Sequence, residues 1–337
     1  MLSLAVSLAI LGVIYWKVDV RRLVDVFRAA DPLWMAVSLA MVVPLTLLTA
    51  WRLQQLAPAQ ARLGFAEANR LILAASVLNV VLPSKMGDIA KAYFMRDRGG
   101  LDGPLALSLV VFEKTCDMLS LLVWCVFGLL VFPLEGWLFD VLTVVVAAGL
   151  AGGVLLLASR RFAGAFFRLA ARIPAGRLRG KLARLEAAWQ EMHDHFWGDT
   201  AQVARVAATS LVIWFFHLLQ IWLFTWAVRA DVPFLANLAL APLAILAGLL
   251  PLTFAGVGTR DVAIVALYRP FLSAPAAAAV GLLCTSRYLL PAVGGLPFFG
   301  RYVHMLRADA VCDVRGRAGP ASSAEEEEGQ ARSPRVM

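Results

Sequence analysis

The chain has 337 residues, of which 61% are hydrophobic and only 16% charged, and its mean hydropathy is +0.75. A soluble domain carries about 25% charged residues, so most of this chain belongs in lipid and no sizeable soluble catalytic domain is expected. The net charge of +8 comes from Lys and Arg placed between apolar runs, a distribution that sets membrane topology and touches anionic headgroups rather than nucleic acid.

Taken in order, Leu2 to Trp16 is apolar and has neither a basic n-region nor an A-x-A cleavage site, which predicts a retained span rather than a removed signal peptide. Leu33 to Trp51 is a second span. Phe65 to Leu82 is apolar but carries Glu67, Asn69, Arg70 and Asn79, breaks at Pro83, and resumes as a short helix from Ile89 to Met95. Pro104 to Phe132 is a long span containing Glu113, Lys114 and Asp117, and Trp137 to Ala158 is a clean one. Ser159 to Arg205 holds nine Lys and Arg and reads as a basic amphipathic loop. Val206 to Val228 is a span rich in Trp and Phe, Phe234 to Phe254 runs into a second break, and Asp261 to Leu272 leaves it. Ala274 to Gly300 is the last span, with Arg287 near its middle. Residues 306–337 form a tail, expected to be disordered from about residue 318 because its last stretch is polar and includes Glu325 to Glu328.

The two breaks read as copies of one device. The first is Leu82-Pro83-Ser84-Lys85-Met86-Gly87-Asp88; the second is Leu250-Pro251, then Gly256-Val257-Gly258-Thr259-Arg260-Asp261. Each is a Leu-Pro helix stop, a glycine turn at Gly87 or at Gly256 and Gly258, and a basic residue with an aspartate opening a new helix. Backbone freed at membrane depth is tolerated only against protein or a wet cavity, and a matched pair of such breaks points to a transport site. The positive-inside rule favours re-entrant hairpins at both, entering from opposite faces, because the basic loop then shares a side with the tail and with Arg52, Arg62, Arg96 and Arg98. The expected fold is an all-α polytopic membrane bundle of about six full spans plus two re-entrant or broken hairpins in an inverted-repeat arrangement. The expected membrane domain is 1–305, with 159–205 as its cytoplasmic loop. The chain would sit in the cell's inner membrane with both termini in the cytoplasm.

These motifs carry a resemblance. The stretch from Leu78 to Asp88, then Lys91, Glu113-Lys114, Asp117, Leu250-Pro251, and Gly256-Val257-Gly258-Thr259-Arg260 followed by Asp261 resembles the signature of the lysylphosphatidylglycerol synthase transmembrane-region family of flippase-like membrane proteins. The family's last acid is usually Glu, so Asp261 is a conservative departure. Full-length synthases of that family add a soluble aminoacyl-transfer domain, which is not expected here, so the resemblance implies the lipid-translocating half of the activity. Stand-alone members are associated with moving lipids, including hopanoid and glycolipid precursors.

Several residues could carry chemistry. Glu113 and Asp117 share a helix face with Lys114 beside them, and a charge near mid-bilayer must face a partner or water; the cluster either lines a transport path or is a structural ion-pair group. Arg287 is expected to bridge to Glu113, Asp117 or Asp261, or to touch a phosphate. Lys85 and Arg260 stand beside helix N-termini that favour an anion. Asp88 and Asp261 either cap those helices or titrate during transport, and Asn79 bonds either the broken backbone or a ligand. Pro83, Gly87, Pro251, Gly256 and Gly258 shape the turns. The aromatics from Trp214 to Trp226 read as packing or lipid-facing residues, and His217 and Gln220 as inter-helix hydrogen bonds. Cys116, Cys125, Cys284 and Cys312 show no CxxC spacing, and no phosphate-binding loop is present, so neither metal nor other cofactor is expected.

The sequence therefore predicts a non-enzymatic membrane transporter that moves a polar or anionic lipid, whether phospholipid, glycolipid or hopanoid-type, between leaflets. Two alternatives stay open. One is a non-catalytic partner holding a lipid-synthesis enzyme at the membrane; the other is a lipid-modifying transferase using Glu113 and Asp117.

Overall fold

The structure, a computed structural model, describes residues 20–317 except 59, 62, 82–86, 133–135, 171–175 and 250–257. The described chain is helical: α1 (Val20–Arg28), α2 (Pro32–Ala40), α3 (Val42–Leu56), α4 (Phe65–Val81), α5 (Gly87–Gly99), α6 (Gly103–Val131), α7 (Trp137–Ala158), α8 (Arg160–Ala170), α9 (Gly176–Trp197), α10 (Thr200–Ala227), α11 (Phe234–Gly248), α12 (Thr259–Leu267) and α13 (Ala274–Arg317). Aspartates start three of the long elements by accepting the free N–H groups of the first turn. Asp31 accepts from Leu33 and Trp34 with Pro32 at the first helical position, Asp102 accepts from Gly103, and Asp199 accepts from Ala201.

Among the described residues five helical stretches are long and apolar enough to cross a membrane: Pro32–Leu56, Gly103–Val131, Phe139–Ala158, Thr200–Ala227 and Ala274–Gly300. The chain is a multi-pass membrane protein. The expected span from Leu2 to Trp16 lies outside the described residues, as do Pro83, Lys85, Pro251, Gly256 and the tail from residue 318. The basic stretch after Ser159 contains the helices α8 and α9 and the first turn of α10. The last helix also continues beyond Gly300 to Arg317, because neither a glycine nor a proline follows Gly300 to stop it until Gly316.

The broken segments fold as helical hairpins. α4 packs on α5, and α11 packs on α12. At 17 and 15 residues, with a rise of about 1.5 Å per residue, α4 and α11 reach less than the roughly 30 Å of a bilayer core. Two contacts set the direction of the spans around them. Gln202, at the start of α10, donates to the Gln55 carbonyl near the end of α3 at 2.7 Å. Asp31, at the start of α2, donates its N–H to the Ala227 carbonyl at the end of α10 at 2.8 Å. α10 therefore runs antiparallel to α2–α3, and counting crossings from there brings the two hairpins in from opposite faces.

The packing repeats in the same inverted sense. The unit α3–α6 corresponds to α10–α13: α3 packs on α10, α4 on α13, and α11 on α6. In two of these cross-pairs, α4/α13 and α6/α11, one glycine lets the backbones touch. A Cβ on Gly295 of α13 would run into the Leu73 carbonyl of α4, and a Cβ on Gly128 of α6 would run into the Ala239 carbonyl of α11. Small residues at such crossings are the ordinary device for close helix packing in lipid. Two apolar cores result, one around the first hairpin (Leu71, Phe94, Leu109) and one around the second (Leu240, Ile264, Tyr268).

Candidate functional site

Between the two cores lies a cavity of about 390 Å³. Its lining draws on both hairpins and on the spans that flank them: Arg52 from α3, Asn79 from α4, Asp88 and Lys91 from α5, Glu113, Lys114 and Asp117 from α6, His217 from α10, Arg260 from α12 and Arg287 from α13. Asn79 and Asp88 flank the first break, and Leu249 and Arg260 flank the second. The ends of both hairpins thus open onto one space.

One pole of the cavity is an ion-pair network. Glu113 and Asp117, one helical turn apart on α6, present their carboxylates to the same guanidinium, Arg52 on α3. Arg52 Nη2 lies 3.5 Å from Glu113 Oε1, while Nη1 pairs with Asp117 Oδ1 and donates to Ser210 Oγ at 3.3 Å. The second oxygen of Glu113 pairs with Lys91 on α5. Lys114 Nζ lies 3.0 Å from Asp88 Oδ2 and 3.8 Å from Asp117 Oδ2. Arg52 and Glu113 are each 1% exposed, so their charges are supportable only because they are paired. Lys114, with a side chain 45% exposed, sits where the network opens outward. Three cations here meet three carboxylates.

The second break closes on itself. Asp261 Oδ2 accepts from the Gly258 N–H at 3.1 Å, capping α12, while Oδ1 accepts from Arg260 Nε at 3.1 Å and Nη2 at 2.8 Å. Arg260 Nη2 also donates to the Gly281 carbonyl and to Thr285 Oγ1, both at 3.0 Å. Its guanidinium is thereby committed to tying α12 to α13. Gly258, at φ 105°, holds a left-handed conformation that a glycine adopts without strain. Below this turn Tyr268 Oη donates to Asn237 Oδ1 at 2.8 Å, and Asn237 donates to the Leu218 carbonyl at 2.9 Å. The described buried polar side chains of this hairpin are matched within it and to its neighbours.

The other pole of the cavity differs. Arg287 makes no ion pair with a carboxylate among the described residues; the expected bridge to Glu113, Asp117 or Asp261 is not formed, because Arg52, Lys91, Lys114 and Arg260 already occupy those three acids. Instead Arg287 Nη2 donates to His217 Nδ1 on α10. A guanidinium has only donors, so Nδ1 is the acceptor. An adjoining cavity of about 140 Å³ shares Thr49, Ser76, His217 and Arg287 with the first and adds Thr46 and Gln220. Buried polar atoms without a hydrogen-bond partner among the described residues gather around these two spaces: Arg52 Nε, Asn79 Oδ1, Trp214 Nε1, Arg287 Nε and Gln220 Oε1. Asn79 therefore does not bond the described backbone through its carbonyl oxygen. Buried polar atoms are normally satisfied, so their concentration here marks a polar space inside the bundle.

Asn79, Asp88, Glu113, Lys114, Asp117, Arg260 and Arg287 line this cavity, and Asp261 holds Arg260 beside it. Three others were not expected there. The charge pattern groups Arg52 with the cations that set topology; it is buried at the centre of the network, because the two acids of α6 need a cation from a neighbouring helix. The signal was present in an arginine at the apolar sequence Ala50-Trp51-Arg52-Leu53 facing unmatched acids elsewhere. Lys91, known only from the motif pattern, holds Glu113. His217, read as an inter-helix hydrogen bond, makes one, but to Arg287 inside the cavity. Among the described residues no group of three or more His, Cys, Asp or Glu could hold a metal ion.

A family model described as lysylphosphatidylglycerol synthase TM region matches residues 1–295. No curated protein matches the chain.

Proposed function

The chain belongs to the lysylphosphatidylglycerol synthase transmembrane-region family, and on that premise we propose that it translocates a polar or anionic membrane lipid between leaflets. One observation carries the reading: the ends of two hairpins entering from opposite faces share a single charged cavity between two apolar cores. The barrier to lipid crossing is the headgroup in hydrocarbon, and polar groups at membrane depth lower it. The acyl chains stay in the bilayer while the headgroup passes from one hairpin to the other. Glu113, Asp117, Asp88 and Asp261 are all held in ion pairs, which fits passage of a headgroup better than acid–base catalysis on it. In this reading the protein is not an enzyme. It sits in the inner membrane with the basic helices α8 and α9 on the cytoplasmic leaflet, as their charge favours.

The test is lipid translocation by purified protein in liposomes, using fluorescent lipids of several headgroups and a membrane-impermeant quencher. The expected result is faster loss of protected fluorescence with wild type than with empty liposomes, and a loss of that gain in Asp88→Asn. No acceleration with any headgroup, with or without a proton gradient, overturns the reading.

A further inference from the structure

We propose that His217 is a proton-binding site, and that proton uptake there releases Arg287 from α10 and couples transport to pH. The inference rests on the transport reading for its setting and adds the ion and the side chain that drive the cycle.

The contact itself carries the argument. Arg287 Nη2 donates to His217 Nδ1, and a neutral imidazole offers one ring nitrogen as an acceptor. That lone pair holds the guanidinium hydrogen bond or a proton, never both. The Nδ1–H bond formed from a solvent proton therefore replaces the hydrogen bond from Arg287. It also sets a second positive charge against a guanidinium that stays charged, so Arg287 is driven off α10. This competition is local to two side chains and holds whatever charge the two breaks bring to the cavity.

The other titratable groups around His217 are less suited. The helix α10 packs against α2, α3, α6, α9, α11 and α13. Sharing the larger cavity with His217 are Arg52 of α3, Glu113, Lys114 and Asp117 of α6, and Arg287 and Tyr288 of α13, with Asp88 and Lys91 of α5 and Arg260 of α12. The helices α2 and α11 hold no charged residue or histidine. The helix α9 meets α10 at its start, where His195 lies against Gln202, several turns before His217. By sequence the two breaks add one ionisable side chain, Lys85, a cation. Asp88, Glu113 and Asp117 each bear a cation, and a proton on any of them would leave positive charge unpaired. Imidazole is the side chain that ordinarily changes charge between about pH 5 and 8.

The smaller cavity gives the proton a way in. His217 and Arg287 line it together with Thr46, Thr49, Ser76 and Gln220. The three hydroxyls spend their protons on their own helices: Thr46 donates to the Val42 carbonyl and Thr49 to the Leu45 carbonyl, both at 2.7 Å, and Ser76 to the Ile72 carbonyl at 2.8 Å. Each therefore turns lone pairs to the cavity. Gln220 donates its Nε2 to the Ser38 carbonyl at 2.9 Å, which leaves Oε1 as a buried acceptor without a donor among the described residues. A lining of acceptors suits water and its protons. At about 140 Å³, and roughly 30 Å³ per water, the space takes about four. It extends from His217 to Thr46, near the start of α3, and to Gln220, further along α10. That is away from the end of α10 that meets α9, so the proton enters from the face opposite the basic helices.

The experiment is nitrogen NMR of the full chain in a neutral detergent with isotope-labelled histidine. The chain has four histidines. The His217 signals are assigned by their loss in His217→Asn or, should that variant not fold, by elimination with His193→Gln, His195→Gln and His304→Gln. The imidazole is expected to carry no proton on Nδ1 at about pH 8 and one on each nitrogen at about pH 5, with a midpoint that moves by about one unit in Arg287→Gln. A His217 that stays neutral throughout overturns the proposal, as does a midpoint indifferent to Arg287. In proteoliposomes the wild-type rate of lipid translocation is expected to rise severalfold over the same fall in pH. His217→Asn places an amide oxygen near the position of Nδ1 and accepts from Arg287 at any pH, so its rates at the two ends are expected to be equal. A flat wild-type profile, or equal pH dependence in the two proteins, overturns the coupling and leaves the transport reading standing. An Arg287-linked titration without translocation at any pH sinks the transport reading and leaves the proton site standing.

Discussion

In the first repeat, α3 and α6 bring Arg52 to Glu113 and Asp117; in the second, the corresponding helices α10 and α13 bring His217 to Arg287, with no carboxylate between them. The breaks diverge in the same way. Asp88 of the first reaches across to Lys114 on α6, whereas Asp261 of the second turns back to the Gly258 N–H and to Arg260 beside it. The packing frame is thus shared, down to the glycine at α4/α13 and at α6/α11, while the chemistry is divided. Among the described residues the first repeat builds a cross-linked network of three cations and three carboxylates, and the second presents Arg287 without a carboxylate partner. The two arms are thus of similar packing but of different lining chemistry.

The largest expected effect comes from breaking the neutral pole. Glu113→Gln removes the shared partner of Arg52 and Lys91 and leaves buried charge uncompensated, at a cost of about 3–5 kcal/mol. A large fall in the thermal transition of the purified protein is expected. A transition close to wild type would mean that the network is not closed and that the contrast between the poles is false.

The shared frame can be tested next. Gly128→Val and Gly295→Val each force apart a helix pair whose backbones touch, and overpacking of this kind costs about 1–3 kcal/mol. Thermal transitions lowered by similar amounts would sharpen the equivalence of α6/α11 and α4/α13. A loss confined to one of them would show that the repeats bear unequal load.

The smallest stability effect is expected at the first break. Asp88→Asn removes an ion pair to a lysine that is 45% exposed, worth about 0–1 kcal/mol, so the transition should hardly move although translocation falls. Asp261→Asn, at a buried acid that caps α12 and holds Arg260, should lower stability more than Asp88→Asn does. The opposite ranking, read from the same melts, would reverse the roles given to the two hairpins.

Much was legible in the sequence because apolar length, Leu-Pro stops and glycine turns are local signals. Membrane residence, the helical class, the two hairpins and the cluster of Glu113, Lys114 and Asp117 follow from the order of residues along the chain, since lipid forces each segment to satisfy its own backbone. Pairing does not follow from that order. Arg52 lies 61 and 65 residues from Glu113 and Asp117, and Arg287 lies 70 from His217, so which acid meets which base depends on how the two repeats pack against each other. Only the tertiary structure could show that the acids of α6 pair with Arg52, Lys91 and Lys114, while Arg287 pairs with none of them: a buried charge takes the nearest opposite charge in space, and distance in space is set by the crossing helices.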